Sequence, residues 1–363
     1  MRIIFLFIIF IFVGPSLVAT QFLYVSVAGD NAIEVYKIGE DGILDIVQKL
    51  DLGNSPGNSV LSPDCKKLFV AVGNKEKTGI LTLGIDEKGV LSIIAFGSTP
   101  IRLTYLTIDK KGLYLFACHY GEGKISSYKL EDGVYKGKVL EVLATDKNAH
   151  CAQIDSNDEY VYFPHTGPNS IYQFQFKDEK LIALNPIKVG GPDKGNNYHE
   201  PRHIVFHSKH KILYSSNEFG GGLSRWSIEK NGVLSLKETL KTVSKEITWK
   251  NASSDITITP NDKLIFVANR DITNVNEATG NDSVSVFTLD EAGNISKQTG
   301  IYPLGRHPRC LHVEIKGKFI FGTAVDSSEI SVYEIDYANG TLKLISKIQT
   351  GKKPMWMVSV TKN

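Results

Sequence analysis

The chain has 363 residues, 42% of them hydrophobic, and carries 41 basic side chains against 39 acidic ones, a net charge of +2. The charges are spread evenly, with no Lys/Arg block and no aromatic-interleaved basic stripe, which excludes nucleic acid as the partner such features would select. Cys65, Cys118, Cys151 and Cys310 form no CxxC pair and no zinc-ligand spacing, and nothing in their positions demands a disulfide.

The chain opens on Met1-Arg2, an unbroken apolar run over residues 3–13, then Gly14-Pro15-Ser16 and small residues ending at Ala19-Thr20. A basic start, an apolar centre and a small-residue exit make a secretory signal peptide, expected over residues 1–20. The apolar run is about half the roughly 20 residues a helix needs to cross a bilayer, and no other segment approaches that length. The remainder, residues 21–363, is expected to be exported (secreted or periplasmic), monomeric and without a membrane span. Sequons at Asn251, Asn281, Asn294 and Asn339 would matter only in a eukaryotic secretory pathway.

A chain this long ordinarily suggests two domains, but internal repeats override that expectation. One unit reads Pro201-Arg202-His203-Ile204-Val205-Phe206, a turn, Lys211-Ile212-Leu213-Tyr214, a Gly220-Gly221-Gly222 loop, Leu223-Ser224-Arg225-Trp226, the Lys230-Asn231-Gly232 turn, and Val233-Leu234-Ser235-Leu236. These are four short strands punctuated by Gly and Asn. The unit recurs about every 45 to 50 residues, the spacing of a propeller blade. Its second strand appears seven times, from Phe22-Leu23-Tyr24-Val25 through Lys67-Leu68-Phe69-Val70, Leu113-Tyr114-Leu115-Phe116, Tyr160-Val161-Tyr162-Phe163, Ile212-Leu213-Tyr214 and Leu264-Ile265-Phe266-Val267 to Phe319-Ile320-Phe321. The first repeat lacks an inner strand, and the chain ends in one with no blade to follow, Met355-Trp356-Met357-Val358-Ser359-Val360. The sequence therefore predicts an all-β, seven-bladed β-propeller of four-stranded blades, closed by the C-terminal strand completing the N-terminal blade, which removes exposed sheet edges.

Several segments, in order and at blade spacing, resemble the seven-bladed lactonase family, which includes propeller-type 6-phosphogluconolactonases, periplasmic gluconolactonases and carboxymuconate lactonizing enzymes. They are Ala149-His150-Cys151, Glu200-Pro201-Arg202-His203, Ser216-Asn217-Glu218, Ser254-Asp255-Ile256 with Ala268-Asn269-Arg270, and Lys353-Pro354-Met355-Trp356. The resemblance implies an active site at one end of the central channel, with His150, Glu218, Arg202 and Arg270 as catalytic residues. His203, Arg309, Asn217 and Asn269 are the companion candidates for substrate binding, with no metal and no cofactor. One departure stands out: Glu200 replaces the family's Gly before Pro201, so a carboxylate is expected near Arg202, neutralising part of an anion site.

Opening a lactone requires activated water, a stabilised oxyanion and protonation of the leaving alkoxide. Glu218 or His150 can serve as base, and the planar forks of Arg202 and Arg270 suit a carboxylate, a phosphate or an oxyanion. The implied function is hydrolysis of a small-molecule sugar-acid lactone, gluconolactone or its 6-phosphate. The alternatives are a carboxymuconate lactonizing (cyclase) reaction on the same residues and a non-catalytic binding scaffold. An exported protein would rarely meet a phosphorylated sugar, so the unphosphorylated lactone fits the compartment better, while the phosphorylated one fits the family resemblance better. Gly220-Gly221-Gly222 follows a strand without opening a helix and is read as a hairpin loop, not a phosphate cradle. No Gly-x-Ser-x-Gly elbow is present. Asp255 and Asn269 could contribute to a calcium cage, but the resemblance is to metal-independent members. Trp356 is expected in core packing.

Overall fold

The computed structural model describes residues 19–74, 77–191, 199–244, 246–273 and 279–362, so almost all of the expected signal peptide lies outside the described residues. The described chain forms seven four-stranded antiparallel sheets, as the repeat predicts. Blade 5 shows the pattern: Pro201–Phe206 is innermost, followed outward by Ile212–Asn217, Gly222–Ile228 and Leu234–Lys241. Inner strands touch the inner strands of neighbouring blades and so surround a central channel.

Position within a blade explains the residue pattern. The second strand is covered by neighbours on both faces and reads as a continuous apolar run; Leu264–Asp271 is buried at every position but the last. The outer strand meets solvent, and in Ile295–Pro303 only the first residue is buried. The core lies between blades: Leu264 and Phe266 of blade 6 pack with Leu311, Val313 and Ile320 of blade 7. A tyrosine device repeats this coupling, with the hydroxyls of Tyr24, Tyr162 and Tyr214 donating to the carbonyls of Gly89, Gly232 and Gly293 in the next blade's hairpin, at 3.0, 2.6 and 2.6 Å.

Ring closure follows the expected route. Blade 1 contains Thr20–Val27, Ala32–Ile38 and Leu44–Asp51, and its innermost strand is the C-terminal Pro354–Lys362. Phe22 pairs with Val360, Tyr24 with Val358 and Thr20 with Lys362. A polar clasp reinforces the joint: the Gly351 amide donates to both oxygens of buried Glu34 at 3.0 and 3.1 Å, and Tyr36 donates its hydroxyl to Glu34 Oε2 at 2.6 Å. A Cβ on Gly351 would stand 2.5 Å from Asp30 Oδ2 and 2.9 Å from Glu34 Oε1, so a larger residue there would have to shift the carboxylates of the clasp.

Deleting residues 354–363 would expose the inner edge of blade 1 and strip away Met357 and Val360, each almost fully buried and each contributing about 1.5–3 kcal/mol. Calorimetry and size-exclusion chromatography of this truncation should show a lowered or broadened transition and self-association. An unchanged melting temperature would mean that the ring does not depend on its closing strand.

Candidate active site

Inner strands begin at one end of the channel, and there the pairing with the second strand is repeatedly interrupted. Register shifts fall between Pro56 and Ser59, Pro201 and Ile204, Ser253 and Ile256, and Pro308 and Cys310. In an uninterrupted strand, Arg202 and His203 would point to opposite faces. The bulge re-aims them, and both line the throat of the channel. Asp255 and Arg309 occupy the equivalent irregular positions in blades 6 and 7. Glu218 follows the second strand of blade 5, and Arg270 lies near the end of Leu264–Asp271. His150 precedes the shortest inner strand, Gln153–Ile154, and its amide donates to Pro164 O at 2.9 Å.

Glu218 is the electrostatic centre. Its Oε1 accepts from Arg270 Nη2 at 2.5 Å and lies 3.3 Å from Arg202 Nε. Burial pushes its pKa up, but the charges of Arg202 and Arg270 outweigh that effect and hold the carboxyl below its ordinary value. Arg202 is wholly buried, and burial, reinforced by the charge of Arg309, pushes its pKa down to about 9. Its Nη1 donates to Ser254 O at 2.8 Å, while Nη2 makes no hydrogen bond among the described residues. Burial and the charge of Arg270 also lower Arg309, whose guanidinium faces the cavity.

A second line of contacts runs from carboxylate to imidazole to imidazole. Asp255 Oδ1 lies 2.7 Å from His203 Nδ1, and His203 Nε2 lies 3.1 Å from His150 Nδ1. Arg202 Nη1 approaches the same His203 Nε2 at 3.3 Å, and the Leu311 amide donates to Asp255 Oδ2 at 2.7 Å. Burial and the charge of Arg202 push His203 down to about 4 and His150 well below its ordinary value, so both rings are neutral at neutral pH.

These groups border a cavity of about 550 Å³ lined by Arg102, Thr104, Tyr120, His150, Glu218 and Arg309, among others. Below it, Arg202, His203, Tyr105 and Trp356 narrow the channel, which continues past Asp255 and His312 as a second space of about 250 Å³. Trp356 packs edge-on against Tyr105, with ring centroids 5.2 Å apart, and also forms part of the channel floor.

The structure brings together six of the eight candidates: His150, Arg202, His203, Glu218, Arg270 and Arg309. Asn217 and Asn269 are placed elsewhere. Each precedes a site residue by one position on a strand and therefore faces the other way. Asn217 donates to Ser224 Oγ at 2.8 Å, and Asn269 to Ser283 and Ser285 at 3.2 and 2.8 Å, all within their own blades. Asn269 is thus turned away from Asp255, which is engaged with His203 and Leu311.

The ion pair of Arg202 is with Glu218. Glu200 takes φ 58°, a left-handed conformation that costs a residue with a Cβ about 1–2 kcal/mol, and its amide donates to Asn169 Oδ1 at 2.7 Å. The replaced glycine is therefore explained by backbone geometry. Sequence reasoning left out Arg102 and Tyr120, and weighed Asp255 only as part of a motif and as a calcium ligand. Arg102 was legible as an arginine two residues after Pro100, just before an inner strand, much as Arg202 and Arg309 directly follow Pro201 and Pro308, and Asp255 as the blade 6 counterpart of His203. Tyr120 gave no such signal.

A family model described as "Lactonase, 7-bladed beta-propeller" matches residues 24–359. Among solved structures, the chain is similar to a proposed 6-phosphogluconolactonase from Bacteroides fragilis, with a TM-score of 0.82, 21% identity, and coverage of 96% of this chain and 100% of that one. It is also similar to the periplasmic gluconolactonase of Pseudomonas aeruginosa, with a TM-score of 0.82, 19% identity, and coverage of 95% and 100%.

Burial holds a whole set of histidines below their ordinary pKa: His165, His199 and His203 at about 4, with His119, His150 and His207 also lowered. Below pH 6.5 the unfolded chain therefore binds protons that the folded chain refuses. Stability should fall as pH drops from 6.5 towards 4, each fully buried histidine contributing a slope of up to about 1.4 kcal/mol per pH unit. Chemical denaturation across that window checks this, and a flat profile would contradict the burial of these rings.

Proposed function

The chain belongs to the lactonase family of seven-bladed β-propellers, and on that premise we propose that it hydrolyses a sugar-acid lactone, gluconolactone or its 6-phosphate, by general acid–base catalysis that needs no metal. The observation that carries this reading is the unused hydrogen-bonding capacity of buried cations beside a neutral imidazole. Arg202 Nη2 has no hydrogen-bond partner among the described residues, and Arg309 lines both the cavity and the throat. Such donors are poised for an oxyanion, and then for the product carboxylate.

His150 is the better base of the two candidates. Glu218 is tied to Arg270 and Arg202, whereas His150 presents a neutral ring to the cavity with Nε2 bonded to no described residue. In this mechanism water attacks the lactone carbonyl as His150 takes its proton, and the arginines stabilise the tetrahedral oxyanion. The ring C–O bond then breaks, and the alkoxide takes the proton back from His150, so lactone and water become a hydroxy acid. Glu218 keeps Arg202 and Arg270 in place and offers its second oxygen to water or a substrate hydroxyl. Asn217 and Asn269 are assigned to holding their strands. The apolar N-terminus and the likeness to a periplasmic relative support export, and export favours the unphosphorylated lactone.

Acid release from gluconolactone and from fresh 6-phosphogluconolactone, with and without chelator, tests the proposal. Turnover should exceed the spontaneous rate and ignore the chelator, and His150→Ala should lower kcat by about 10²–10⁴. Because the depressed pKa keeps His150 unprotonated, the acid limb of kcat/KM should lie below pH 6.5; activity lost already above that value would remove His150 as base. Failure to accelerate either lactone would overturn the assignment.

A further inference from the structure

Two buried histidines outside the site have both ring nitrogens engaged. His119 bonds Arg102 O through Nδ1 and Ser126 Oγ through Nε2, at 2.8 and 2.7 Å, and His165 bonds Phe163 O and Thr145 Oγ1 at 2.8 and 2.9 Å. His150 differs: its Nδ1 meets His203, while its Nε2 makes no hydrogen bond to any described residue and the ring borders the cavity.

The neighbours of His203 leave one arrangement of protons. Asp255 can only accept, so His203 Nδ1 carries a hydrogen. Arg202 can only donate, so His203 Nε2 carries the lone pair. His150 Nδ1 faces that lone pair at 3.1 Å and must donate, which leaves the lone pair of His150 on Nε2. We propose that Asp255 and His203 are positioning residues that hold His150 with Nε2 unprotonated towards the cavity and steady its imidazolium once the proton of the attacking water arrives there. The inference rests on the lactonase reading for its catalytic consequence, but not for its structural content.

The Leu311 amide makes Asp255→Asn a selective probe. It donates to Oδ2 at 2.7 Å, so the single oxygen of the asparagine must take that place. The NH2 group then faces His203 Nδ1 and reverses the chain, with Arg202 Nη1 giving up its 3.3 Å approach and keeping Ser254 O at 2.8 Å: His203 becomes a donor at Nε2, His150 Nδ1 an acceptor, and His150 Nε2 protonated. The substitution keeps size and shape, removes the carboxylate charge and reverses the direction of donation.

The test is nitrogen-15 NMR of histidine-labelled protein, with His150→Gln and His203→Gln spectra for assignment, alongside kinetics. The wild type should show His150 protonated at Nδ1 and His203 protonated at Nδ1. Asp255→Asn should switch both to Nε2–H and lower kcat by about 10²–10⁴ with KM changed less than about threefold. A wild-type His150 protonated at Nε2 overturns the proposal without any variant having to fold, as does an unswitched Asp255→Asn. If neither lactone is turned over yet the tautomers are as expected, the lactonase reading fails and the relay stands.

Discussion

No blade of this propeller has a core of its own, and the molecule depends on that constraint. Phe266 needs Ile320 of the following blade, and Tyr214 needs the hairpin carbonyl of Gly293. A linear array built this way would always leave one blade uncovered, so the chain bends into a ring and pairs its last strand with its first. The clasp of Glu34, Tyr36 and Gly351 secures the one joint that has no peptide bond running through the sheet.

The ring also makes a site possible. It gathers the start of every inner strand around one axis, although those positions are far apart in sequence: His150 and His203 are in hydrogen-bond contact across 53 residues, and Glu218 and Arg270 across 52. The bulges after the inner-strand prolines and at Ser254-Asp255 add side chains that an even pleat would send into the blade. Concentrating Arg202, Arg270 and Arg309 about Glu218 is electrostatically costly, and the inter-blade packing that encircles them holds them there.

Blade number, strand order and closure were legible because each rests on a pattern repeated seven times or on the mismatch of the two chain ends. Arg202, Glu218 and Arg270 were legible through the family resemblance, whose motifs occur in order at blade spacing. Asn217 and Asn269 were drawn in by their neighbours, and strand alternation turns them away. Asp255 was quoted as part of a motif but not recognised as a site residue, since its role comes from contact with His203 across a blade boundary. The left-handed backbone angle of Glu200 was not legible, since charge counting does not reveal a backbone conformation.

Thr20 pairs with Lys362 at the outer end of the closing strand pair, while the same strand begins at Pro354 beside the site. The two ends of the described chain therefore meet on the face opposite the cavity, inside a single ladder. Topologically, the point at which the polypeptide enters the ring is arbitrary. A circular permutant that joins these ends and opens a hairpin on that same face would keep every blade and every site residue, so the order in which the blades are synthesised is separable from the architecture that holds the site.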